Sequence, residues 1–354
     1  MHPHPAPHGV SINGLYPLND TSEVQIKADR QFKLSFEVFP AKTEKAQKAL
    51  LSELRLLSAY RPTFISVTYG AGGKSQAGTA DTAKQIQKTL NTDVMAHLTL
   101  AEQSRDDVLA TADRFSAAGV RQILALRGDQ PHEAVSLPQN PFRDTVDLIR
   151  CLTERGWDNI RTSAYPDIHK EARDADSDFD WLLAKFDAGA SEAVTQFFFD
   201  ADNFFRLRDR LDRYGLANKL LPGILVFREI EKMIGFAKNC GVHIPALLHV
   251  ELSRSRQTDV EEAHCLSILL DLLLRLSSQG VEQYHFYTLN KAQPLVTLLD
   301  LLDLPKQGIC AVADRQPETS YKTGQAKGAA DEENRQTLTT RNHKICRTCD
   351  NKSR

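Results

Sequence analysis

Eight short apolar segments rich in β-branched and aromatic residues recur along the chain, with longer segments between most of them. They span residues 34–39, 64–69, 94–100, 122–127, 160–165, 193–199, 221–227 and 283–289. Their length and composition predict strands, and the intervening segments place apolar residues at helical spacing. Strands that alternate with helices form parallel sheets, and eight such units close a barrel. We therefore predict an α/β fold, a (β/α)8 TIM barrel.

An open, doubly wound sheet is the alternative fold. No GxGxxG motif follows the first predicted strand, which disfavours a dinucleotide-binding sheet of that kind. Extra helical material at residues 257–278 precedes strand eight, either as an insertion or as a displaced seventh helix. The ends of the chain are polar and lack periodicity. We predict a flexible N-terminal arm (1–31), a catalytic barrel (32–310) and a disordered C-terminal tail (311–354).

Charge and cysteine usage exclude several classes of function. The formal net charge of -2 provides no field that would attract nucleic acid or an anionic membrane. Asp271 interrupts the longest apolar run, residues 266–274, which is too short to span a bilayer. Six scattered cysteines and a polar N-terminus predict a cytoplasmic protein. His343, Cys346 and Cys349 offer fewer ligands than the four of a structural zinc site, so we predict no metal.

Polar residues stand near the carboxyl ends of the predicted strands, where barrel enzymes place their active sites. They include Glu37, Thr68, His97, Arg127, Asp129, Tyr165, Gln196, His285 and Tyr287. A carboxylate inside a buried strand is costly, so Glu37 is either functional or held in a structural ion pair. Asp129 is either functional or caps the segment that follows it. His97, considered in isolation, is better interpreted as a hydrogen-bonded histidine of the core. If Glu37 and Asp129 faced one pocket, one could act as an acid and the other as a fixed charge.

Several longer segments occur in a fixed order between residues 34 and 304: SFEVFPAKT, VTYGAGG, LALRGD, SAYPDIH, DAGASEAVTQFFFD and YHFYTLNKA. In these segments the chain resembles the methylenetetrahydrofolate reductase family, of the bacterial type with the catalytic barrel alone. The resemblance implies reduction of 5,10-methylenetetrahydrofolate to 5-methyltetrahydrofolate, which supplies methyl groups for methionine synthesis. It also implies FAD as the cofactor, NADH or NADPH as the reductant in a ping-pong hydride transfer, and a homo-oligomer.

The resemblance implies roles for individual residues. Glu37 would be the acid that helps methylenetetrahydrofolate open to its iminium form, and Asp129 would contact flavin and pterin and tune the flavin by its charge. The implied FAD contacts are Thr68, His97, Leu126, Arg127, Gly128, Asp129, Tyr165, His169, Asp178 and Lys185. The implied substrate contacts are Glu37, Asp129, Gln196, Phe236 and Lys291.

The chain departs from the family pattern at a few of these contacts. Trp181 and Ala184 stand where the family has an Asn and an Arg or Lys that help hold FAD, and Lys291 replaces an Arg. Two further hypotheses therefore stay open. One is a flavin-poor homologue in another folate-dependent one-carbon or methyl-transfer step. The other is a non-catalytic folate- or flavin-binding partner subunit, although such a module would not need an acid at Glu37.

Overall fold

A computed structural model describes residues 32–69, 76–128, 140–255 and 258–306. Its nine strands form one sheet in the order β7-β6-β5-β4-β3-β2-β1-β9-β8, and every pairing is parallel. The strands are β1 (Lys33–Val38), β2 (Phe64–Val67), β3 (Val94–Thr99), β4 (Gln122–Leu126), β5 (Ile160–Ala164), β6 (Glu192–Thr195), β7 (Leu220–Leu221), β8 (Gly223–Leu225) and β9 (Gln283–Tyr287). The predicted arm and tail lie outside the described residues.

Pro222 divides the seventh predicted strand into β7 and β8. A proline has no N–H to donate to a ladder, so it separates the two short pieces. β7 pairs with β6, and β8 pairs with β9. The carbonyl oxygen of Pro222 accepts a hydrogen bond of 2.9 Å from the backbone N–H of His285, so contact with β9 continues past the break. The sheet is therefore closed, which confirms the predicted (β/α)8 barrel.

The helices alternate with these strands. They are α1 (Glu44–Ser58), α2 (Gln76–Leu90), α3 (Arg105–Ala117), α4 (Thr145–Glu154), α5 (Ala175–Asp187), α6 (Ala201–Asp212), α7 (Ile230–Cys240), α8 (Ala246–Ser255), α9 (Glu261–Ser278) and α10 (Gln293–Leu301). Five of them begin at a Thr, Ser or Asp whose side chain accepts a backbone N–H of the first turn. None of the helices in the described ranges combines the length and hydropathy that crossing a membrane requires.

The extra helical material before the last strand is larger than predicted. Three helices, α7, α8 and α9, lie between β8 and β9; α9 covers most of the predicted residues 257–278, and α8 is the helix that the sequence pattern did not indicate. α9 packs against both α6 and α10, so it occupies the seventh place in the outer ring of helices. The alternative of a displaced seventh helix is therefore the correct one.

The barrel interior has an apolar layer below a polar one. Phe64, Met95, Leu124, Val194 and Leu221 form the apolar layer. Two residues further along their strands, Ser66 follows Phe64 and His97 follows Met95, so the same inward face becomes polar toward the carboxyl end. The candidate site therefore lies in the barrel interior, toward the carboxyl ends of the strands.

A glycine is required where β8 begins. A Cβ at Gly223 would lie 2.2 Å from the carbonyl oxygen of Thr195 and 2.6 Å from the ring of Tyr287, whose hydroxyl donates to that same oxygen at 2.6 Å. We expect Gly223→Ala to lower the free energy of unfolding by about 1–3 kcal/mol, since the added carbon forces these groups apart. Urea denaturation measures the change. Gly235→Ala on α7, where a Cβ meets no atom within 4 Å, is the control and should cost nothing.

Candidate active site

Glu37 lies at the centre of the polar layer, and its side chain is 14% exposed. Its Oε2 atom is 3.2 Å from Nε2 of His97 on β3 and 3.5 Å from Nε2 of His285 on β9. The hydroxyl of Ser66 on β2 donates to the same oxygen at 3.3 Å. Side chains from three other strands therefore converge on one carboxyl oxygen, near the end of the barrel where the sequence pattern predicted the site.

Burial and the neighbouring histidines have opposite effects on the pKa of Glu37. Burial raises the pKa of its carboxyl group, but His97 and His285 favour the anion and bring the pKa to about 2. Burial lowers the pKa of His285, against the attraction of Glu37. The ligand-free site therefore favours the carboxylate form of Glu37, and acid chemistry at this residue needs a proton that the ligand-free site does not hold there.

Two buried polar atoms of predicted FAD contacts have no hydrogen-bond partner among the described residues. They are Oγ1 of Thr68, directly after β2, and Nε2 of His97, which approaches Glu37 closely but outside hydrogen-bond geometry. The other two such atoms belong to Gln47 on α1 and His264 on α9. An unpartnered buried polar atom costs about 1–3 kcal/mol, so a bound ligand that satisfies it gains that energy. Thr68 and His97 are both predicted FAD contacts, and they fit such a ligand.

A second cluster of predicted residues joins the ends of β4 and β5. Arg127 forms a two-pronged ion pair with Glu171, at 2.6 and 3.0 Å, and its hydrogen bonds lower the pKa of that carboxyl group. Tyr165 packs edge-on against His169, with ring centroids 4.6 Å apart. The backbone N–H of His169 donates to Asp178 at 3.0 Å. The structure thus brings four predicted cofactor contacts together, with Glu171 as a member that the sequence interpretation missed.

Three further predicted FAD contacts, Leu126, Gly128 and Asp129, lie at the end of β4 or directly after it. Leu126, the last residue of β4, packs against the apolar layer of the barrel interior. Gly128 has a φ of +87°, and a Cβ there would lie 3.1 Å from Cβ of Thr99. The chain can therefore pass close to β3 only with glycine at this position. Asp129 lies outside the described residues, so its pairing with Glu37 in one pocket remains a prediction.

Lys185 on α5 is a buried cation. Its Nζ atom donates to the carbonyl oxygen of Ser163 at 2.8 Å, and burial lowers its pKa to about 8 although Asp178 opposes this. Together with Tyr165 and Asp178, it borders a cavity of about 380 Å³ between α5 and α6. Three predicted cofactor contacts therefore line one cavity.

Lys185 makes the stability of the fold depend on pH. Its folded pKa of about 8 is below the ordinary 10.5, so the unfolded chain binds more protons between these values and stability rises with pH across that range. We expect Lys185→Met to remove a rise of about 2 kcal/mol between pH 7.5 and 10. Urea unfolding of both proteins at each pH measures it. Lys84→Met, at an exposed position of α2, should show the same pH dependence of stability as the wild type. If Lys185→Met also showed the wild-type pH dependence, the rise in stability could not be assigned to Lys185.

The predicted substrate contacts fall in two places. Gln196 follows β6, and its Oε1 atom accepts the backbone N–H of Phe197 at 3.0 Å. Phe236 on α7 stacks on the ring of the same Phe197, with centroids 5.6 Å apart. Lys291, after β9, instead lies at the surface with 65% exposure, 3.5 Å from Glu53 of α1. Gln196 and Phe236 thus both contact Phe197, whereas the described contact of Lys291 is with Glu53 and involves none of these three residues.

His285 and Ser66 contact Glu37, and Ser35 contacts His285, yet the sequence interpretation assigned these three residues no role. A signal was present, since polar residues alternate on β1 (Ser35, Glu37) and on β9 (His285, Tyr287). Such alternation indicates that these side chains share one face of the sheet. No group of three or more His, Cys, Asp or Glu side chains in the described ranges is arranged to hold a metal ion.

A family profile and individual known sequences that are similar to this chain carry the same family name. The family profile described as methylenetetrahydrofolate reductase matches residues 23–303. The 5,10-methylenetetrahydrofolate reductase of Pectobacterium carotovorum is 36% identical over 262 residues, which cover 73% of this chain and 86% of that protein. The Escherichia coli K12 protein of the same name is 35% identical over 265 residues, with coverage of 74% and 88%.

Comparison with solved structures supports the fold. A Clostridium thermocellum protein described as binding two copies of 5-methyl-5,6,7,8-tetrahydrofolic acid superposes with a TM-score of 0.55. The alignment covers 77% of this chain and 96% of that one, at 12% sequence identity. At this identity the likeness concerns the fold alone.

Proposed function

This chain belongs to the methylenetetrahydrofolate reductase family, and on that premise we propose that it reduces 5,10-methylenetetrahydrofolate to 5-methyltetrahydrofolate, with NADH or NADPH as the reductant and FAD as the bound cofactor. The observation that carries the proposal is the buried carboxyl group of Glu37 at the carboxyl end of the barrel, in contact with His97, His285 and Ser66. A binding module has no use for a titratable group in so costly a position.

Glu37 suits the first chemical requirement of this reaction. The five-membered ring of methylenetetrahydrofolate opens when a C–N bond breaks and the nitrogen takes a proton. A carboxyl group in a largely water-excluded pocket can deliver that proton directly. The hydroxyl of Ser66, 3.3 Å from Oε2, stabilises the carboxylate that remains.

Several residues fit FAD, which when bound would supply hydride transfer between the nicotinamide nucleotide and the folate. Thr68 and His97 offer the unpartnered polar atoms at the ends of β2 and β3. The guanidinium fork of Arg127 matches a phosphate, and it already holds a carboxylate in the same geometry. Lys185 adds a second cation. Asp129 would place a fixed negative charge beside the flavin, as the family resemblance implies.

Gln196 and Phe236 fit a binding face that serves two flat substrates in turn. The amide of Gln196 can hydrogen-bond a ring edge, and the ring of Phe236 can stack on a heterocycle. Because both residues contact Phe197, they are positioned relative to each other. One such face, used first by nicotinamide and then by pterin, supports the ping-pong order.

The visible spectrum of the purified full-length chain tests this proposal. We expect bound flavin that bleaches when NADH or NADPH is added without oxygen, and that recovers its colour when methylenetetrahydrofolate follows. The nucleotide that bleaches it faster is the preferred reductant. A colourless protein that shows no reductase activity with added FAD would overturn the proposal.

A second candidate function follows from α5. Trp181 and Ala184 replace family residues that help hold FAD, and the Trp181 side chain is an exposed large apolar group, 40% accessible. A flavin-poor protein that acts on folate in another one-carbon step would show these substitutions. Tryptophan fluorescence distinguishes the candidates, since FAD bound beside α5 would quench Trp181, and Trp157→Phe leaves Trp181 as the sole tryptophan.

A further inference from the structure

The loop between β5 and α5, residues 165–174, contains a backbone conformation that costs free energy. Ile168 has a φ of +69°, in the left-handed region that a β-branched residue rarely adopts. Such a conformation persists only where the surrounding contacts fix the backbone. Tyr165 and His169, two predicted FAD contacts, lie on either side of Ile168, whose N–H donates to the carbonyl oxygen of Tyr165 at 3.2 Å. The loop is therefore held in one shape before any cofactor binds.

Asp167 anchors one side of this loop through both of its carboxyl oxygen atoms. Oδ1 accepts a hydrogen bond of 2.6 Å from the side-chain amide of Asn203 on α6, and Oδ2 accepts one of 3.2 Å from the backbone N–H of His243. On the other side of the strained residue, the backbone N–H of His169 donates to Asp178 at 3.0 Å. The strained residue thus lies between two residues that are each bound to another element.

The backbone at His243 is joined to the end of α7. Gly241 ends this helix with a φ of +71°, and the N–H of Val242 donates back to the carbonyl oxygen of Ala237 at 2.9 Å. Hydrogen bonds of this kind fix the geometry of a helix end. α7 also carries Phe236, the predicted substrate contact that directly precedes Ala237. A displacement of His243 would therefore move the part of α7 that presents Phe236.

The loop after β5 and the segment after α7, residues 241–245, also meet at a second point. A Cβ added at Gly241 would lie 3.1 Å from Cδ of Lys170, so the Lys170 side chain lies close against that backbone. Asp167 and Lys170 are three residues apart in the loop, and their partners His243 and Gly241 are two residues apart. The two segments therefore pack along each other, and Asp167 adds a hydrogen bond to this packing.

We propose that Asp167 positions two parts of the active site relative to each other: the loop after β5, with Tyr165 and His169 for FAD, and α7, with Phe236 for the substrates. The inference rests on the proposed function, which gives these three residues their ligands. Asp167 is a positioning residue and acts through the groups that it anchors. Hydride transfer requires the flavin and its partner ring at a defined distance, so an anchor common to both sides serves the reaction.

Asp167→Asn is the variant that tests the anchor, because it removes one hydrogen bond and keeps the size of the side chain. The amide has one acceptor oxygen, and its NH2 group only donates. Arg206 donates to Oδ1 of Asn203, so the NH2 group of Asn203 faces residue 167. The backbone of His243 presents a second donor. The variant can accept from only one of them and leaves two donors facing each other.

We expect the dissociation constant for FAD to rise about tenfold in Asp167→Asn, equivalent to about 1.4 kcal/mol. At saturating FAD and substrate, both half-reactions should slow by about fivefold, because the flavin and its partner ring are less well aligned. Anaerobic stopped-flow measurement gives both rates. A residue that only stabilises the fold would leave the rates at saturation unchanged, so wild-type rates in the folded variant would refute the proposal. Asp187→Asn, at an exposed position of α5, is the control and should match the wild type.

Exchange of the two side chains provides a rescue. In Asp167→Asn/Asn203→Asp, the amide at position 167 accepts from His243 and donates to the carboxylate at position 203, which also faces the guanidinium of Arg206. We expect FAD affinity and both rates to return to within about twofold of the wild type. Asn203→Asp alone places two carboxyl groups together and should be at least as impaired as Asp167→Asn. A double variant no better than the single ones would contradict the role of Asp167.

Hydrogen exchange in the ligand-free chain tests the coupling without flavin or folate. Peptides that cover residues 165–174 and 241–245 report on the two segments separately. In Asp167→Asn, amide exchange should become about threefold faster in both segments, and the double variant should restore the wild-type rate. Faster exchange in residues 165–174 alone would mean that Asp167 does not couple the two segments.

Failure of this inference is distinguishable from failure of the proposed function. If the wild type neither binds FAD nor reduces methylenetetrahydrofolate, the proposed function fails, and hydrogen exchange still decides whether Asp167 joins the two segments. If the wild type is active and Asp167→Asn keeps its FAD affinity, its rates and its exchange pattern, only the role of Asp167 fails.

Discussion

Glu37→Gln is expected to reduce the rate of methylenetetrahydrofolate reduction about 10³-fold while flavin reduction by NADH or NADPH continues at close to the wild-type rate. The amide keeps the size of the side chain and can still accept from Ser66, but it has no carboxyl proton to give to the folate nitrogen. The hydride donor does not need that proton. Anaerobic stopped-flow measurement of each half-reaction separates the two effects.

Glu44→Gln provides the matched control for this variant. Glu44 is also a glutamate, but it lies at the start of α1 with its side chain 83% exposed, in an ion pair with Lys48. Both half-reactions should be unchanged by its replacement. If folate oxidised the flavin of Glu37→Gln as fast as that of the wild type, Glu37 could not be the acid, and the proton would have to come from another group.

Arg127→Ala is expected to weaken FAD binding about 30-fold, equivalent to about 2 kcal/mol. The side chain presents two parallel N–H donors at the end of β4, a geometry that recognises a phosphate as well as the carboxylate of Glu171. Truncation removes both donors and the charge. Titration of the flavin-free protein with FAD, followed by tryptophan fluorescence or calorimetry, gives the dissociation constant.

Two further variants serve as comparisons for the FAD affinity of Arg127→Ala. Glu171→Gln removes the carboxylate that competes for the fork, so FAD should bind at least as tightly as in the wild type. Arg155→Ala removes a surface arginine that pairs with Asp113 at 2.7 Å and should have no effect. Equal dissociation constants for Arg127→Ala and the wild type would exclude Arg127 from the cofactor site.

The course of the barrel could be predicted because its signals are local. Short β-rich segments and amphipathic helices depend on neighbours within a few residues, and α3 (Arg105–Ala117) lies in the segment between the third and fourth predicted strands. The division of strand seven could not be predicted in the same way. It depends on which partners β7 and β8 meet on either side of Pro222, and those partners are distant in sequence.

The candidate site shows the same difference at the level of single residues. Glu37, Thr68 and His97 could be identified because each is a polar residue at the end of an apolar strand, and a burial cost of that kind is visible in the sequence. Their mutual distances could not be read from the sequence. The unpartnered atoms of Thr68 and His97 became apparent only when the surrounding donors and acceptors were in place.

The sequence by itself determined the α/β class, the parallel barrel and the end at which its polar residues gather, since periodicity and burial cost act along the chain. Only the tertiary structure decided that His285 meets Glu37. Closure of the barrel pairs β1 with β9 and sets Ser35 opposite His285, 250 residues away. That register brings Nε2 to within 3.5 Å of the carboxyl group. The physical reason is that hydrogen bonds between strands, which no local pattern encodes, fix which side chains face each other across the interior.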